Sequence, residues 1–554
     1  MTAVPPPPGP SSGPGLPGSD ETVVLLCSDV SRARPCPVPA AQLAAAVRQR
    51  APGTAVLTVA NLCSGPAGLP ALLRARSVRR VAAGCRHGTA RRGEIVAVLR
   101  RAGIAGPGIC VTDLMPARRP DPLRVATQSA ARIIAALARV SHADLSAPDS
   151  ERLLGVAGPL SRRSLFHPGT IARQPAACWA GNRCRSGEGC RECSSACPCG
   201  ALAVTSAGVM IDTAACTACG ACVAACRADA LSLADWSVRG IEAAAGELVA
   251  DALRPGPGRV HGVAITCAHA TGRVPVGADW LPLEVPSLEM VTAGWPLQIL
   301  SAGTGVAFAG CSDARCASRA RELDQFCAEL AEATTHSWCG LETPLGGWVP
   351  ARPGRPPENA GSHPAHLSLR EPAASARVLA RLISPPGGAA GPVTATATVA
   401  PAPRSGIGHR RPWRVESPAV ALGEITIDAG RCSACRSCAT ACSTGALTAG
   451  FRNEPALILS VDAALCSACG ACVQACPEDA VSLRRVADSE SLAEGRRVVA
   501  SIMAGTRCES CGQPLADGLI CDVVGQRLAA SHPKVAARLQ SQRRCADCTP
   551  DPAL

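Results

Sequence analysis

Four short runs of cysteine constrain this chain more than any other feature of its sequence. Three runs follow the spacing C-x2-C-x2-C-x3-C, and the remaining run differs only in a longer first gap. The runs are Cys184, Cys190, Cys193 and Cys197; Cys216, Cys219, Cys222 and Cys226; Cys432, Cys435, Cys438 and Cys442; and Cys466, Cys469, Cys472 and Cys476. Zinc sites usually combine separated C-x2-C pairs, whereas three thiols at steps of three residues in one loop suit a [4Fe-4S] cube. The spacing therefore predicts iron-sulfur clusters, with zinc as the alternative.

The composition indicates a multidomain protein rather than a small secreted disulfide framework. The chain has 554 residues, 47% of them apolar, and 33 cysteines. Disulfide frameworks serve small domains that lack a core, so metal ligation explains this many cysteines better. No apolar run reaches the roughly 18 residues that a membrane-spanning helix needs, and residues 1–20 are rich in Pro, Gly and Ser. We expect a disordered tail at 1–20 and a cytoplasmic protein that does not enter the membrane.

The net charge of +12 rests on arginine, since Lys534 is the only lysine. The basic residues are scattered, and the chain has only four Phe, seven Trp and no Tyr to stack on bases. These features argue against a nucleic-acid partner. A basic surface also suits an acidic protein partner.

Residues 21–145 show four units of a short apolar strand followed by a helical segment. The strands are expected at 23–26, 55–60, 78–83 and 108–114, with helices beginning near Pro39, Pro66, Thr89 and Pro122. This alternation predicts a parallel sheet covered by helices on both faces. Cys27, Cys63 and Cys85 each follow or end a strand, and Cys110 lies in the fourth strand. Because the carboxyl ends of parallel strands share one edge, these thiols are candidate metal or cluster ligands, with Cys36 competing for the fourth place. The alternative is that they are small buried apolar residues.

The same region resembles the N-terminal domain of the A component of heterodisulfide reductase. The likeness lies in LCSGPAGL from Leu62, in residues 76–104 and in residues 125–140. In that family a flavin domain follows, marked by a G-x-G-x-x-G fingerprint after a strand. Residues 146–177 carry no such fingerprint. We therefore expect a linker there and no flavin.

Residues 178–236 and 419–486, called module 1 and module 2, each hold two of the cysteine runs separated by short apolar strands. Small residues stand between the cysteines, and a proline follows the last cysteine in Cys197-Pro198 and Cys476-Pro477. These features resemble the bacterial ferredoxin with two [4Fe-4S] clusters. The resemblance implies four cubes in the chain, two in each module.

In the ferredoxin family the fourth cysteine of each run ligates the neighbouring cube. The resemblance thus implies four crossed ligand sets. Set 1 is Cys184, Cys190, Cys193 and Cys226; set 2 is Cys216, Cys219, Cys222 and Cys197; set 3 is Cys432, Cys435, Cys438 and Cys476; set 4 is Cys466, Cys469, Cys472 and Cys442. Gly187 stands where the first run should have a thiol. Set 1 therefore holds either a complete cube through a longer loop or a labile three-iron form.

Residues 256–342 resemble the delta subunit of methyl-viologen-reducing hydrogenase, which partners heterodisulfide reductase. Strand-like segments end near Cys267 and Cys311, and Cys316 follows at the start of a helical segment. Ala270 and Ser287 replace two cysteines of the family pattern. A [2Fe-2S] cluster would therefore need His269, Cys327 or Cys339 as its fourth ligand. A docking domain without a cluster is the alternative.

The remaining segments are a linker and a small C-terminal unit. Residues 343–418 are rich in Pro, Gly and Ala, which is typical of a linker. Residues 500–554 contain two C-x2-C pairs, formed by Cys508, Cys511, Cys545 and Cys548. This arrangement predicts a zinc-ribbon-like segment, with a fifth cube as the alternative. The fold class expected for the whole chain is a multidomain combination of α/β and α+β.

Together these features predict an iron-sulfur electron-transfer subunit of a larger cytoplasmic oxidoreductase complex. By resemblance, the expected partners are redox subunits of the hydrogenase, formate dehydrogenase or heterodisulfide reductase type, and a soluble ferredoxin. No combination of base, nucleophile and oxyanion donors is evident in the sequence, so no catalytic residue is predicted. The alternatives are a redox or oxygen sensor that regulates a partner, and a flavoenzyme whose flavin site has no fingerprint.

Overall fold

The computed structural model of the chain describes most of the predicted domains. The described residues are 22–28, 38–86, 88, 90–114, 122–145, 177–188, 190–205, 208–226, 228–233, 235–254, 260–269, 279–334, 338–340, 347–350, 414–416, 420, 422–451, 456–488, 490–491, 496–503, 508–512, 524–541 and 548. The tail predicted at 1–20 lies outside them, as do residues 146–176 of the first linker. Within these ranges, none of the helices combines the length and apolar character needed to cross a membrane.

The N-terminal domain is a four-stranded parallel sheet in the order β2-β1-β3-β4. Its strands are β1 (Thr22–Ser28), β2 (Ala55–Ala60), β3 (Arg80–Cys85) and β4 (Ile109–Asp113). Its helices are α1 (Ala40–Arg50), α2 (Leu69–Ala75), α3 (Arg92–Arg101) and α4 (Pro122–Ser141). The predicted parallel sheet is confirmed, although β3 begins two residues later than the apolar pattern suggested.

Helices cover both faces of this sheet, because successive side chains of β1 point in opposite directions. Val24 and Leu26 pack in one core with α1 and α4, whereas Val23 and Leu25 pack in another core with α2 and α3. All four side chains are at most 1% exposed. A strand buried on both faces reads as a continuous apolar run, as the sequence of β1 does.

Module 1 consists of two small antiparallel strand pairs, β5 with β8 and β6 with β7. Its elements are β5 (Ala177–Trp179), α5 (Glu192–Ser195), β6 (Leu202–Thr205), β7 (Gly208–Ile211), α6 (Ala221–Ala225) and β8 (Leu231–Leu233). Each run of cysteines is therefore followed by a short strand, as the sequence predicts.

The central domain is a five-stranded sheet in the order β10-β9-β11-β13-β12. Its elements are α7 (Val238–Ala252), β9 (Gly262–Cys267), β10 (Trp280–Val285), α8 (Gly294–Ser301), β11 (Gly305–Ala309), α9 (Ala314–Thr334), β12 (Trp338–Gly340) and β13 (Trp348–Pro350). Strands β9, β10 and β11 are parallel, while β13 pairs antiparallel with β11 and β12. The predicted linker at 343–418 is therefore too long, since Trp348–Pro350 belongs to this sheet.

Module 2 repeats the architecture of module 1 with longer strands. Its elements are β14 (Arg414–Glu416), β15 (Gly423–Ile427), α10 (Ser437–Thr440), β16 (Leu447–Phe451), β17 (Ala456–Asp462), α11 (Ala471–Gln474), β18 (Val481–Asp488) and β19 (Arg496–Met503). The strands form two antiparallel sheets, β14-β18-β15 and β16-β17-β19. Thus β14 shortens the predicted linker at its other end, and β19 takes residues 500–503 out of the predicted zinc-ribbon segment. Helix α12 (Pro533–Ser541) follows.

The N-terminal domain is joined to the central domain and to module 1 by α4, α7 and ion pairs. Helix α4 packs on α7, which in turn packs on β9 and β10. Arg50 pairs with Asp251, Arg92 with Glu284, and Arg100 with Asp235. Each pair joins an arginine on a helix of the N-terminal domain to an acidic residue of module 1 or of the central domain. The sequence did not indicate α7 as a docking helix.

One continuous core joins the central domain to both modules. Val223 of module 1, Ile265 of β9 and Val415 of β14 belong to the same cluster of buried apolar side chains. Helix α9 also contacts β14. The central domain therefore packs against both modules and helps to fix their positions.

Candidate metal centres

The backbone of the three regular cysteine runs is wound into a tight loop. The residue before the second cysteine has a left-handed conformation in every case: Ala218 with φ 57°, Ala434 with φ 58° and Ala468 with φ 52°. The residue after that cysteine does so as well: Gly220 with φ 82°, Arg436 with φ 62° and Gly470 with φ 76°. Such loops turn successive amides toward one point and form an anion-binding concavity. The left-handed region costs an L-residue about 1–2 kcal/mol, so three alanines in it indicate a conformation that the site demands.

The last cysteine of each run receives a main-chain hydrogen bond at sulfur. The amides of Ala201, Ala230 and Ala480 donate to the Sγ atoms of Cys197, Cys226 and Cys476, each over 3.3 Å. Leu447 donates to Cys442 over the same distance. The third residue after each of these cysteines has a positive φ, which turns the chain back: Gly200, Asp229, Gly445 and Asp479. The four runs therefore prepare their last thiol in closely related ways, and amide donors near sulfur are one of the features that set cluster potentials.

The four thiols of set 1 line a single cavity of about 100 Å³. Cys184, Cys190 and Cys193 come from the stretched first run, and Cys226 comes from the end of the second run. The longer loop before Cys190 thus still brings Cys184 to the same place as the other three. This cavity and its donors fit a [4Fe-4S] group, for which four thiols must surround one volume.

The thiols of set 1 also influence each other electrostatically. Burial, followed by the charges of the neighbouring Cys190, Cys226 and Cys184, raises the pKa of Cys193 to about 11. Burial likewise raises the pKa of Cys190, with Cys226 and Cys184 contributing. Because metal ligands must be deprotonated, positive charge from iron is needed before all four thiols can ionise together.

Set 2 is brought together in the same way. Burial raises the pKa of Cys222, and Cys219, Cys216 and Cys197 are the next causes. Burial also raises the pKa of Cys219 to about 12, where the Glu289 carboxylate of the central domain adds to the effect as a charge and as a hydrogen-bond partner. Set 2 therefore faces the central domain, and Glu289 is a neighbour that the sequence did not reveal.

Sets 3 and 4 show the same crossed grouping in module 2. Burial raises the pKa of Cys438 to about 11, with Cys432, Cys435 and Cys476 adding to it. For Cys472, burial raises the pKa to about 12, and Cys466, Cys469 and Cys442 add to it. Each set of three neighbouring thiols is thus joined by the last cysteine of the other run.

The spacing of these sixteen thiols differs from that of ligands around a single ion. In the part of the chain that the structure describes, no three of them have sulfur atoms that all lie within 4.8 Å of one another. Four thiolates around one tetrahedral ion are closer than that, because each bond is about 2.3 Å long. The wider spacing favours a larger inorganic core over zinc.

A further thiol lies next to set 2. The Sγ atom of Cys199 is 3.6 Å from the Sγ atom of Cys197. Partial burial opposes ionisation of Cys199, but hydrogen bonds led by that of Cys197 give it a pKa below the ordinary thiol value. Set 2 therefore has a spare thiol beside one of its ligands.

The two modules meet at a hydrogen bond between residues adjacent to cluster ligands. The Ser443 hydroxyl donates to Glu192 Oε1 over 2.6 Å. Ser443 follows Cys442 of set 4, and Glu192 stands between Cys190 and Cys193 of set 1. Ser443 also lines the cavity of set 1. Sets 1 and 4 are therefore neighbours across the module interface, a relationship between residues 251 positions apart that no local pattern predicts.

Comparison with protein-family models agrees with the geometry of both modules. Residues 431–480 match the model of a 4Fe-4S dicluster domain, and this range holds the third and fourth runs. Residues 209–232 match the model of a 4Fe-4S binding domain, and this range holds the second run. The chain carries two ferredoxin-type 4Fe-4S domains. No match to the chain is found among curated proteins.

Outside the two ferredoxin modules, three thiols meet in the central domain. The sulfur atoms of Cys267, Cys311 and Cys316 all lie within 4.8 Å of one another. A hydrogen bond from the Cys267 thiol lowers the pKa of Cys316 to about 5. His269 Nδ1 is 3.6 Å from the sulfur of Cys267. Cys327 is buried in α9 and is not part of this group, while the side chain of Cys339 lies outside the described part of the chain.

The candidate cysteines of the N-terminal domain are distributed over both faces of its sheet. Cys27 and Cys85 belong to the core beside α2 and α3, whereas Cys110 packs against the core beside α1 and α4. Cys36 and the side chain of Cys63 lie outside the described residues. Among the described side chains of this domain, no three ligand atoms lie within 4.8 Å of one another. A cluster site here stays a prediction.

Three of the four cysteines predicted to bind zinc near the C-terminus lie together. The sulfur atoms of Cys508, Cys511 and Cys548 are all within 4.8 Å of one another. Cys545 lies outside the described residues. The segment between the two pairs contains helix α12, and the expected ribbon fold stays a prediction.

Proposed function

We propose that this protein is an electron relay in which four [4Fe-4S] clusters, bound by sets 1 to 4, form one line through the two ferredoxin modules. The hydrogen bond between Ser443 and Glu192 is the observation that carries the proposal. It supports an order in which set 1 and set 4 are the inner positions and set 2 and set 3 are the outer ones. When bound, the clusters supply one-electron chemistry.

The order within each module follows from the crossed ligands. Cys193 of set 1 contributes to the pKa of Cys222 of set 2, and Cys438 of set 3 contributes to that of Cys472 of set 4. Neighbouring sets in each module are therefore within electrostatic range of each other. Joined at Glu192 and Ser443, they give the sequence 2-1-4-3.

The charges beside the sets give this line a direction. Glu289 places a negative charge at Cys219 of set 2, which disfavours an added electron there. Arg485 lies near Cys466 and Cys469 of set 4, where its positive charge favours an added electron. Charge and hydrogen bonding near sulfur are among the features that set cluster potentials. We propose that electrons enter at set 2 and pass toward module 2.

We further propose that partner redox proteins dock near these two outer sets. The resemblances to the A component of heterodisulfide reductase and to the hydrogenase delta subunit favour partners of the hydrogenase, formate dehydrogenase or disulfide reductase type, or a soluble ferredoxin. The central domain packs against set 2 through the turn Leu288–Met290 and against β14 through α9, so a partner bound to it would be close to both modules. A zinc ion at Cys508, Cys511, Cys545 and Cys548 would close the C-terminal segment.

Anaerobic preparations of the full chain test the relay. Four cubes require about 16 iron atoms and about as many acid-labile sulfides per chain. We expect reduced protein to show EPR signals broadened by interaction between neighbouring clusters. Protein that holds zinc in place of iron and contains little sulfide would contradict the proposal.

A matched pair of variants tests the order of the sets. Cys469→Ser removes a ligand of set 4, an inner position, and Cys435→Ser removes the equivalent ligand of set 3, an outer position. We expect the magnetic interaction between the modules to disappear in C469S and to survive in C435S. Equal loss of this magnetic interaction in both variants would contradict the order 2-1-4-3. It would not contradict the proposal that the wild-type chain binds four clusters.

A further inference from the structure

The three thiols of the central domain come from different elements that converge at one edge of the sheet. Cys267 is the last residue of β9, Cys311 lies two residues beyond β11, and Cys316 lies in the first turn of α9. Strands β9 and β11 are adjacent and parallel, with Thr266 opposite Ala309. Both carboxyl ends therefore reach the same edge, which is where open parallel sheets bind ligands.

The distances among these thiols suit one ion rather than a cluster. Two thiolates on the same tetrahedral ion, each bonded at about 2.3 Å, have sulfur atoms about 3.8 Å apart. The sulfur atoms of Cys267, Cys311 and Cys316 all lie within 4.8 Å of one another. In a [2Fe-2S] cluster each iron takes only two protein ligands, so three thiols this close do not match it. Among the described residues of the ferredoxin modules, which match 4Fe-4S models, no three thiols lie this close together.

Local contacts hold the thiols in place before any metal arrives. Asp313 Oδ1 accepts hydrogen bonds from the amides of Arg315 and Cys316, at 3.0 and 3.1 Å, and so fixes the first turn of α9. Cys267 and Cys316 are 0% and 1% exposed, whereas Cys311 is partly exposed. The site thus has two buried thiols that are fixed by secondary structure and one side that opens to solvent, which gives an ion a way in.

We propose that Cys267, Cys311 and Cys316 bind a single zinc ion, with His269 as the fourth ligand. The separation of 3.6 Å between His269 Nδ1 and Cys267 Sγ equals that expected for a nitrogen and a sulfur on one tetrahedral ion, about 3.6 Å from bonds of about 2.1 and 2.3 Å. His269 is exposed, so its ring has room to rotate toward Cys311 and Cys316 and would then complete the tetrahedron. Four protein ligands leave no open position, which is the mark of a structural zinc site.

The ion would brace the surface on which set 2 rests. Cys267 Sγ lies 3.5 Å from the carbonyl oxygen of Pro286, two residues before the turn Leu288–Met290. That turn carries Glu289, the neighbour of Cys219, and Glu289 also pairs with Arg315 beside Cys316. A zinc ion binding β9, β11 and α9 therefore fixes the charge that faces set 2. The proposal stands on its own geometry and does not depend on the electron relay.

Elemental mass spectrometry tests the proposal by measuring the zinc content of the full chain. With the predicted C-terminal site also filled, wild-type protein should hold about two zinc ions. Cys316→Ser should lower the zinc content by one per chain, and Cys508→Ser should lower it by one independently. Cys327→Ala is the matched control, because Cys327 is equally buried in the same helix but lies outside the group. It should leave zinc unchanged.

Iron and sulfide measured on the same samples separate this proposal from the relay. In Cys316→Ser we expect both to stay at the wild-type level, with the EPR signals of the cubes retained. Zinc X-ray absorption of Cys508→Ser protein, in which only the central site remains, should show three sulfur ligands and one nitrogen. A Cys316→Ser variant that keeps all its zinc, or that loses two iron atoms and two sulfides per chain instead, would overturn the zinc site.

Discussion

A Cβ atom placed on Gly240 would lie only 2.5 Å from the main-chain carbonyl oxygen of Arg139. Helices α4 and α7 therefore meet backbone to backbone at this point. The guanidinium of the same Arg139 stacks on the ring of Trp236, 4.2 Å from its centroid. The N-terminal domain is thus held to the rest of the chain by a contact that has no room for one methyl group.

Replacing Gly240 with Ala should weaken this contact. Ala is preferred to Gly inside a helix by up to about 1 kcal/mol, yet overpacking typically costs about 1–3 kcal/mol, and here the obstacle is backbone. We expect amides of 122–141 to exchange hydrogen faster in Gly240→Ala protein, as measured by mass spectrometry. Gly93→Ala is the control, since Gly93 lies in α3 with open space around it. In that variant the amides of 122–141 should exchange no faster than in wild type. Slower exchange of these amides in Gly240→Ala protein would contradict the prediction, because it would mean that the two helices separate easily to make room for the methyl group.

The ion pair between Arg92 and Glu284 should give the same interface a pH dependence. Burial of the Glu284 carboxyl raises its pKa, but Arg92 outweighs this and holds the pKa below the ordinary value. The pair therefore stabilises the interface at pH values above the unfolded carboxyl pKa of about 4.3, and this stability is lost as the pH falls through the lower folded value. Glu284→Gln should lower the free energy of unfolding by on the order of 2 kcal/mol at neutral pH.

Chemical unfolding followed at the N-terminal domain measures the difference in the free energy of unfolding between wild-type and Glu284→Gln protein. We expect it to be constant between about pH 8 and pH 5.5, because the carboxyl is ionised in both states across that range. Arg91→Ala is the control, since its pair with Glu94 is exposed and lies within one helix. A wild-type advantage over Glu284→Gln that grew as the pH fell would show that the pair does not act through the ionised carboxylate.

Removing the charge of Arg485 should lower the reduction potential of the cluster at set 4. The positive charge of Arg485 near Cys466 and Cys469 stabilises the reduced form, and its loss should lower the potential by tens of millivolts, since about 59 mV corresponds to 1.4 kcal/mol for one electron. Redox titration of Arg485→Leu protein, followed by EPR, measures the change. Arg484→Leu is a close control, because Arg484 is exposed and pairs with Glu416. Equal shifts of the reduction potential in the two variants would show that the charge of Arg485 has no specific effect on set 4.

Replacing Arg436 with Gly should stabilise the loop of set 3. Arg436 has φ 62°, whereas the equivalent residues in the second and fourth runs are glycines. Relief of the left-handed strain should be worth about 1 kcal/mol, which we expect to slow the loss of iron from set 3 to a chelator. The reverse change, Gly470→Ala, should speed the loss of iron from set 4. Faster loss in Arg436→Gly protein would show that the arginine side chain contributes more than its backbone strain costs.

The sequence predicted the two ferredoxin-type 4Fe-4S domains well because their information is local. The spacing of Cys432, Cys435 and Cys438 reports on one turn of chain, and the apolar residues next to it report on one strand. The contacts between domains depend on residues that are distant in sequence. Glu192 and Ser443 gave no local sign of their hydrogen bond, and Gly240 looked like any glycine in an alanine-rich helix.

The boundaries were least predictable where an element is short. Strand β13 has three residues and gains its stability from pairing with β11 and β12, so the sequence of Trp348–Pro350 alone did not separate it from the Pro-rich segment that follows. The close approach of Cys267, Cys311 and Cys316 could be anticipated, because the first two lie at the ends of neighbouring parallel strands and Cys316 begins the next helix. Their distances, which distinguish one ion from a cluster, come only from packing.

The crossed ligand sets also bear on how the chain matures in the cell. In the proposed relay, Cys226 would close set 1 and Cys197 would close set 2, so neither cube could be completed until both halves of module 1 had been synthesised and had come together. We therefore expect cluster insertion and closure of each module to be linked, so that the amount of folded protein follows the supply of clusters in the cell.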